Sequence, residues 1–218
     1  MKKIAVVFIL ISIATGVFAQ APKQELKRPP VSQNNVKRAL DRYVHVWDTC
    51  SNSSVRAKIY ESFDRLAKAD STNYLAQYYA GYVDAEACYL YFDTLRKQEV
   101  YTRALGFSDK AMKLSPKDAE PIILKAHILR LMANHNDSLA VDHKAKIKKL
   151  IADAKKIDAA NPRLYLVMGD ELLADGNKKE AMKNYKLASD ALKASKSEEF
   201  LKPHWGTDEL KRSMAKAQ

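Results

Sequence analysis

The chain has 218 residues, with 30 Ala, 27 Lys and 22 Leu against only 6 Gly and 7 Pro. Good helix formers dominate and turn formers are scarce, which argues against a many-turned β-sandwich or a Gly/Pro-rich disordered chain. Two cysteines cannot staple a disulfide-dense mini-protein, so a helical protein of one or two domains with a formal charge of +11 remains.

Met1-Lys2-Lys3 is a short basic start, and Ile4 to Ile13 is apolar except for Ser12. Small residues around Ala19 then offer a cut site, the three-part layout of a secretory signal peptide over residues 1–19. The apolar run is shorter than the roughly 20 residues of a membrane span, and no later segment is long enough either. The expectation is an exported chain, periplasmic or secreted, with no transmembrane anchor after signal removal.

Loss of Lys2 and Lys3 lowers the charge from +11 to +9. The remaining lysines are spread along the chain, as at Lys144, Lys146, Lys148, Lys149, Lys155 and Lys156, and no nucleic-acid motif accompanies them. They read as a solvated helix face, and no nucleic-acid partner is expected.

Residues 20–35 are polar and proline-bearing and read as a flexible spacer. From Val36 the pattern turns helical, with Val36, Leu40, Tyr43 and Trp47 on one face. Ser51 to Ser54 breaks it and can cap the next helix. A four-residue pattern at offsets of four, three and three then recurs on helices leading into turns. Its copies are Ile59/Phe63/Leu66/Ala69, Ala104/Ser108/Ala111/Leu114, Ile147/Ile151/Ala154/Ile157 and Ala181/Tyr185/Ala188/Ala191. The first three lead into the turns at 70–73, 115–118 and 158–162, and each turn opens a new helix near Tyr74, Ala119 or Pro162.

Residues 162–195 carry a sharper signal. Tyr165, Met168, Gly169 and Leu172 give a large–large–small–large pattern, Asp175-Gly176-Asn177 a turn, and Ala181, Tyr185 and Ala188 a small–aromatic–small pattern. At this spacing the chain resembles the tetratricopeptide repeat (TPR) family. The other units depart from it: insertions lengthen the second and third, Ser108 replaces an aromatic, and Gln77 and Asp84 fall on a nominal core face. The resemblance implies an all-α, TPR-like fold over residues 36–195, a right-handed superhelical stack of about four antiparallel helix pairs. Each pair has apolar residues on more than one face and needs its neighbours to bury them. Residues 196–218 form a C-terminal capping segment, in which Thr207 can cap a short helix through Leu210 and Met214 over the open end of the stack.

In such a stack the 54–69 helix runs opposite to the 74–95 helix. Cys88 then lies about 21 Å along that helix, level with Val55 and near the turn holding Cys50. A Cys50–Cys88 disulfide is therefore expected in an exported chain, the alternative being two free buried thiols.

No catalytic constellation is evident. His45, His127, His135, His143 and His204 form no zinc motif, and there is no nucleophile elbow, phosphate-cradling glycine loop or dinucleotide fingerprint. No enzyme, cofactor or metal site is expected. The informative feature is aromatic: Tyr74, Tyr78, Tyr79, Tyr82, Tyr89 and Tyr91 are expected within one helix, and Tyr78, Tyr82 and Tyr89 share a helical face. Stacks resembling this family line a concave groove with the first helix of each pair. Carried into later pairs, that face adds Ile123, His127 and Arg130, then Leu166 and Asp170. The competing reading is plain core packing, since Tyr79, Val83, Ala87 and Leu90 form an opposite apolar face.

Three Asp-Ser/Thr triplets, at Asp70, Asp93 and Asp137, resemble bacterial O-glycosylation acceptors, and Asn52 and Asn136 head N-glycan sequons; helix capping is the alternative. The expected function is an exported, non-catalytic scaffold presenting its groove to a protein or peptide segment. Binding of a cell-envelope glycan or peptidoglycan fragment is the alternative, and a divergent enzyme is third.

Overall fold

The computed structural model describes residues 33–218 except 51, 89–92, 136, 195–202 and 204. The signal segment, Tyr89, Tyr91 and Asn136 lie outside the described residues, and the helix expected over 74–95 ends at Ala87. Nine helices and no strand are found among the described residues: α1 Gln33–Thr49, α2 Ser53–Ala69, α3 Tyr74–Ala87, α4 Thr94–Leu114, α5 Glu120–His135, α6 Asp137–Ile157, α7 Pro162–Ala174, α8 Lys178–Ala194 and α9 Thr207–Ala217. Each odd-numbered helix through α7 packs on its successor, giving four pairs. The first helices also touch each other in series, α1 to α3, α3 to α5 and α5 to α7, which builds an inner layer. α9 packs on α8 and α7. No described helix is long and apolar enough to cross a membrane.

Local chemistry sets the boundaries. Asn52, Asn73, Asp93 and Asn161 take extended backbone at the N-caps of α2, α3, α4 and α7 and accept from the first-turn amides. Asn52 of one glycan sequon and Asp93 of one Asp-Thr triplet thus serve as caps. Pro162 opens α7, where no intrahelical donor is lost.

The repeated four-residue pattern reads cleanly in the packing. Phe63, Leu66, Ala104, Ser108, Ala111, Ile147, Ala154, Ala181, Tyr185 and Ala188 are buried, whereas the fourth position emerges at the turn in Ala69, Leu114 and Ile157. Small residues let helices approach closely: a Cβ added at Gly169 of α7 would sit 2.5 Å from the Tyr185 ring of α8.

α3 is the central helix, buried on all sides from Ala76 to Ala85. Both polar residues on its nominal core face make hydrogen bonds between helices, with Gln77 Oε1 left without a partner. Gln77 donates to Ala67 O at 2.6 Å, and Asp84 accepts from Arg103 Nε and Nη2 at 2.7 and 3.1 Å. Departure from the TPR pattern at these positions is compensated by new hydrogen bonds between neighbouring helices.

Both cysteines are free thiols, so the expected disulfide is not formed. Cys88 is buried at the end of α3 with Sγ directed at Asp84 O and Lys97 O, at 3.6 and 3.8 Å. Cys50 lies beyond α1 with Sγ 4.0 Å from Asn52 O. The two sulfurs turn to separate backbone partners. Burial pushes the Cys88 thiol up to about 12, so it stays protonated and inert.

Candidate functional site

The inner layer does not present an open tyrosine groove. Tyr78 is fully buried; its hydroxyl donates to Glu120 Oε2 at 2.9 Å and accepts from Trp205 Nε1 at 2.6 Å. Tyr82 stacks on the Trp205 indole, with centroids 5.4 Å apart, and donates to Glu209 Oε1 at 3.2 Å. Burial, with Glu120 beside Tyr78 and Glu209 beside Tyr82, pushes both phenols well above their ordinary value, so they act as neutral donors. Ile123 and Leu166 are also buried. The chain's own C-terminal segment therefore occupies the place expected for a ligand.

That segment is held by a polar network. Glu120, at the start of α5, accepts from Tyr78, from Asn161 Nδ2 at 2.8 Å and from Arg163 Nε at 2.8 Å, tying α3, α5 and α7 together. Burial opposes the charge on Arg163, but Glu120 outweighs it and holds the guanidinium above its ordinary value. Arg163 also donates from Nη1 to Trp205 O at 3.3 Å. Gly206 turns the chain at φ +117°, a region that favours glycine, and its N–H donates to Glu209 Oε2 at 2.9 Å. Gly206, rather than Thr207, is thus the N-cap of α9.

α9 extends this cover toward the C-terminal ends of the inner helices. Arg212 of α9 sits 3.4 Å from both Glu86 Oε2 of α3 and Glu209 Oε1. Glu86 meets His127 Nε2 of α5 at 3.2 Å, and the His127 ring lies 4.8 Å from Trp205. Burial opposes the charge on Glu86, but His127, Arg212 and Arg130 outweigh it and hold the carboxyl below its ordinary value of 4.5.

Between α9 and the inner layer a cavity of about 350 Å³ remains, with Glu86, His127, Arg130, Asp170, Arg212 and Lys216 among its lining. Three of the sequence-predicted groove residues, His127, Arg130 and Asp170, line it together. Arg130 Nε and Asp170 Oδ2 lie 3.1 Å apart, and Asp170 Oδ1 accepts from Tyr185 at 2.9 Å. A second, more open cavity of about 700 Å³ shares Glu86, Leu131 and Arg212 with the first and reaches Cys50, Arg56 and Tyr101. Together they form one polar cleft beside α9. Its contributions from Glu86, Glu209 and Arg212 escape the sequence reading, which places α9 only at the end of the stack. No group of metal ligands is found among the described residues.

No family model matches the chain, and no curated protein matches it. Solved structures do, among them the following two. The HusA haemophore from Porphyromonas gingivalis aligns with a TM-score of 0.72 and 19% identity, over 86% of this chain and 96% of that one. A thermophilic TPR protein from Thermus thermophilus aligns with a TM-score of 0.54 and 13% identity, over 84% and 91%. At these identities the likeness is one of fold. The fold is a TPR-like helical stack. Within it, the cleft can bind polar, charge-bearing groups, and its apolar wall is limited to short stretches such as Leu131, Leu173 and Ala174.

Proposed function

We propose that the protein is an exported, non-catalytic binding scaffold that captures a protein or peptide segment at the cleft between the inner helices and α9. One observation carries this reading: the inner layer and the C-terminal helix converge on a charged cleft, beside which Trp205 covers Tyr78 and Tyr82. Charged side chains pre-positioned by ion pairs give orientation and specificity to a partner segment. The leader over residues 1–19 supports export. A photo-crosslinker at Lys216, on the cleft, is compared with one at Lys149, on the exposed face of α6. Capture of a discrete partner from Lys216 alone supports the proposal. Equal capture from both positions, or none, removes it. Glycan-array binding that maps to the cleft would replace the peptide reading with the envelope-glycan one.

A second reading is porphyrin capture, favoured by the likeness to a haemophore along almost its whole length. Arg130, Arg212 and Lys216 suit the carboxylates of a porphyrin, but the cleft offers little apolar surface for the ring. His127 Nε2 is already engaged by Glu86, which leaves only Nδ1 to hold iron. Absorbance titration with haemin and with iron-free protoporphyrin decides it: saturable binding of both favours porphyrin recognition without iron ligation, and no spectral change excludes this reading.

A further inference from the structure

The chemistry of the cleft narrows the ligand, on the premise that the cleft is the binding site. The wall of its first cavity, of about 350 Å³, carries three cations, Arg130, Arg212 and Lys216, and three carboxylates, Glu86, Asp170 and Glu209. The field of a balanced wall largely cancels, so a dianion or dication gains little. A ligand with separated positive and negative ends matches both sets at once.

The second observation is incomplete pairing. His127 Nδ1, Arg130 Nε and Asp170 Oδ2 are buried atoms without a hydrogen-bond partner, and all three residues line this cavity. Arg130 and Asp170 approach to 3.1 Å as an ion pair, yet Nε and Oδ2 do not meet in hydrogen-bond geometry. The His127 side chain is 1% exposed and that of Asp170 4%. Buried polar atoms in native proteins are nearly always satisfied, so His127 Nδ1, beside an Arg130–Asp170 ion pair that falls short of hydrogen-bond geometry, marks a wall that something polar completes. Size sets the scale. A cavity of about 350 Å³ lies at the lower end of the range for small-molecule sites, enough for a metabolite-sized ligand or the end of a chain. Leu131, Leu173 and Ala174 give one short apolar stretch for a small aliphatic side chain.

We infer that the cleft takes a zwitterionic amino acid or short peptide, its carboxylate against the Arg130/Arg212 side and its ammonium against the Glu86/Asp170/Glu209 carboxylates. This deepens the peptide reading of the same site by requiring free termini.

The test is calorimetric titration of the full chain with leucine, with alanyl-leucine and with N-acetyl-alanyl-leucine amide. Saturable binding is expected for at least one of the two free-ended probes. Blocking both ends should weaken it at least about tenfold, the loss of roughly one charged hydrogen bond. Leucine against alanyl-leucine separates a free amino acid from a peptide as the ligand. Arg212→Gln should weaken binding by a similar factor; Arg212 is 59% exposed, and an unchanged melting temperature verifies that the variant stays folded. If Arg212→Gln lowers the melting temperature, Lys216→Gln takes its place. Equal binding of the blocked peptide, or no binding of either free-ended probe at about 1 mM, where a site of millimolar affinity would be half filled, overturns the inference. Partner capture from Lys216 combined with dipeptide failure would retire the zwitterion while leaving the cleft reading intact. Failure of both would retire both.

Discussion

Gly169→Ala probes the packing between the helices of the last pair. A Cβ at this position would lie 2.5 and 2.6 Å from Cε1 and Cδ1 of Tyr185, where carbon atoms prefer about 3.5–4.0 Å. The ring would have to retreat by about 1 Å to restore that spacing. It has little freedom to do so, because Tyr185 is fully buried and its hydroxyl donates to Asp170 at 2.9 Å. Overpacking costs about 1–3 kcal/mol, and loss of the Tyr185–Asp170 hydrogen bond would add about 1 kcal/mol. Replacing a mid-helix glycine by alanine returns about 1 kcal/mol. The net expectation is a loss of about 1–3 kcal/mol, read as a lower urea midpoint at unchanged slope. Gly106→Ala on α4 is the control, since a Cβ there meets nothing within 4 Å, and a gain of about 0.5–1 kcal/mol is expected. If Gly169→Ala matches the wild type, or Gly106→Ala loses as much, close packing of Gly169 on Tyr185 is refuted.

Three further outcomes follow from the C-terminal cover and its anchors. Trp205→Ala should lose about 3–5 kcal/mol in urea unfolding, whereas Trp205→Phe, which keeps a ring but not the Nε1 donor to Tyr78, should lose about 1–2; equal losses would show that the stack on Tyr82 contributes nothing. Glu120→Ala leaves Arg163 buried without its carboxylate and should cost about 3–5 kcal/mol in the same assay, while Glu120→Met combined with Arg163→Met should recover only part of it, because Tyr78 and Asn161 still lose their acceptor. Glu86 has a carboxyl held below 4.5, so its contribution to stability is present above that pH and is lost as pH falls through the folded value. Urea midpoints between pH 7 and 3 should therefore fall less steeply for Glu86→Gln than for the wild type.

Much of the fold is legible in the sequence because it rests on local signals. The spacing of Ala181, Tyr185 and Ala188 defines one face of α8, and Asn73 and Asn161 cap their helices as their residue types suggest. Helical pairs then follow from faces that cannot be buried alone. The candidate site is less legible because it depends on contacts between residues far apart in the chain. Tyr78 has helical neighbours that suit either a groove or a core, and only the placement of Trp205, 127 residues later, decides for the core. Likewise, Gln77 and Asp84 look misplaced on a buried face until Ala67 O and Arg103 are seen beside them. His127, Arg130 and Asp170 do line the cleft, since helical periodicity is enough to align inner faces. Arg212 and Glu209 enter it because Gly206 redirects the chain across those faces, which no periodicity encodes.

Closure of the concave face by Trp205 and α9 underlies every statement about the cleft, and native-state hydrogen exchange tests it most directly. With the face closed, the amides of Leu210 to Ala217 should be protected to nearly the same extent as those of Tyr79 to Val83 in α3, because both unfold with the shared core. Exchange of the α9 amides at close to unprotected rates, with α3 still protected, would mean an open tyrosine groove and would contradict the cleft as the binding site.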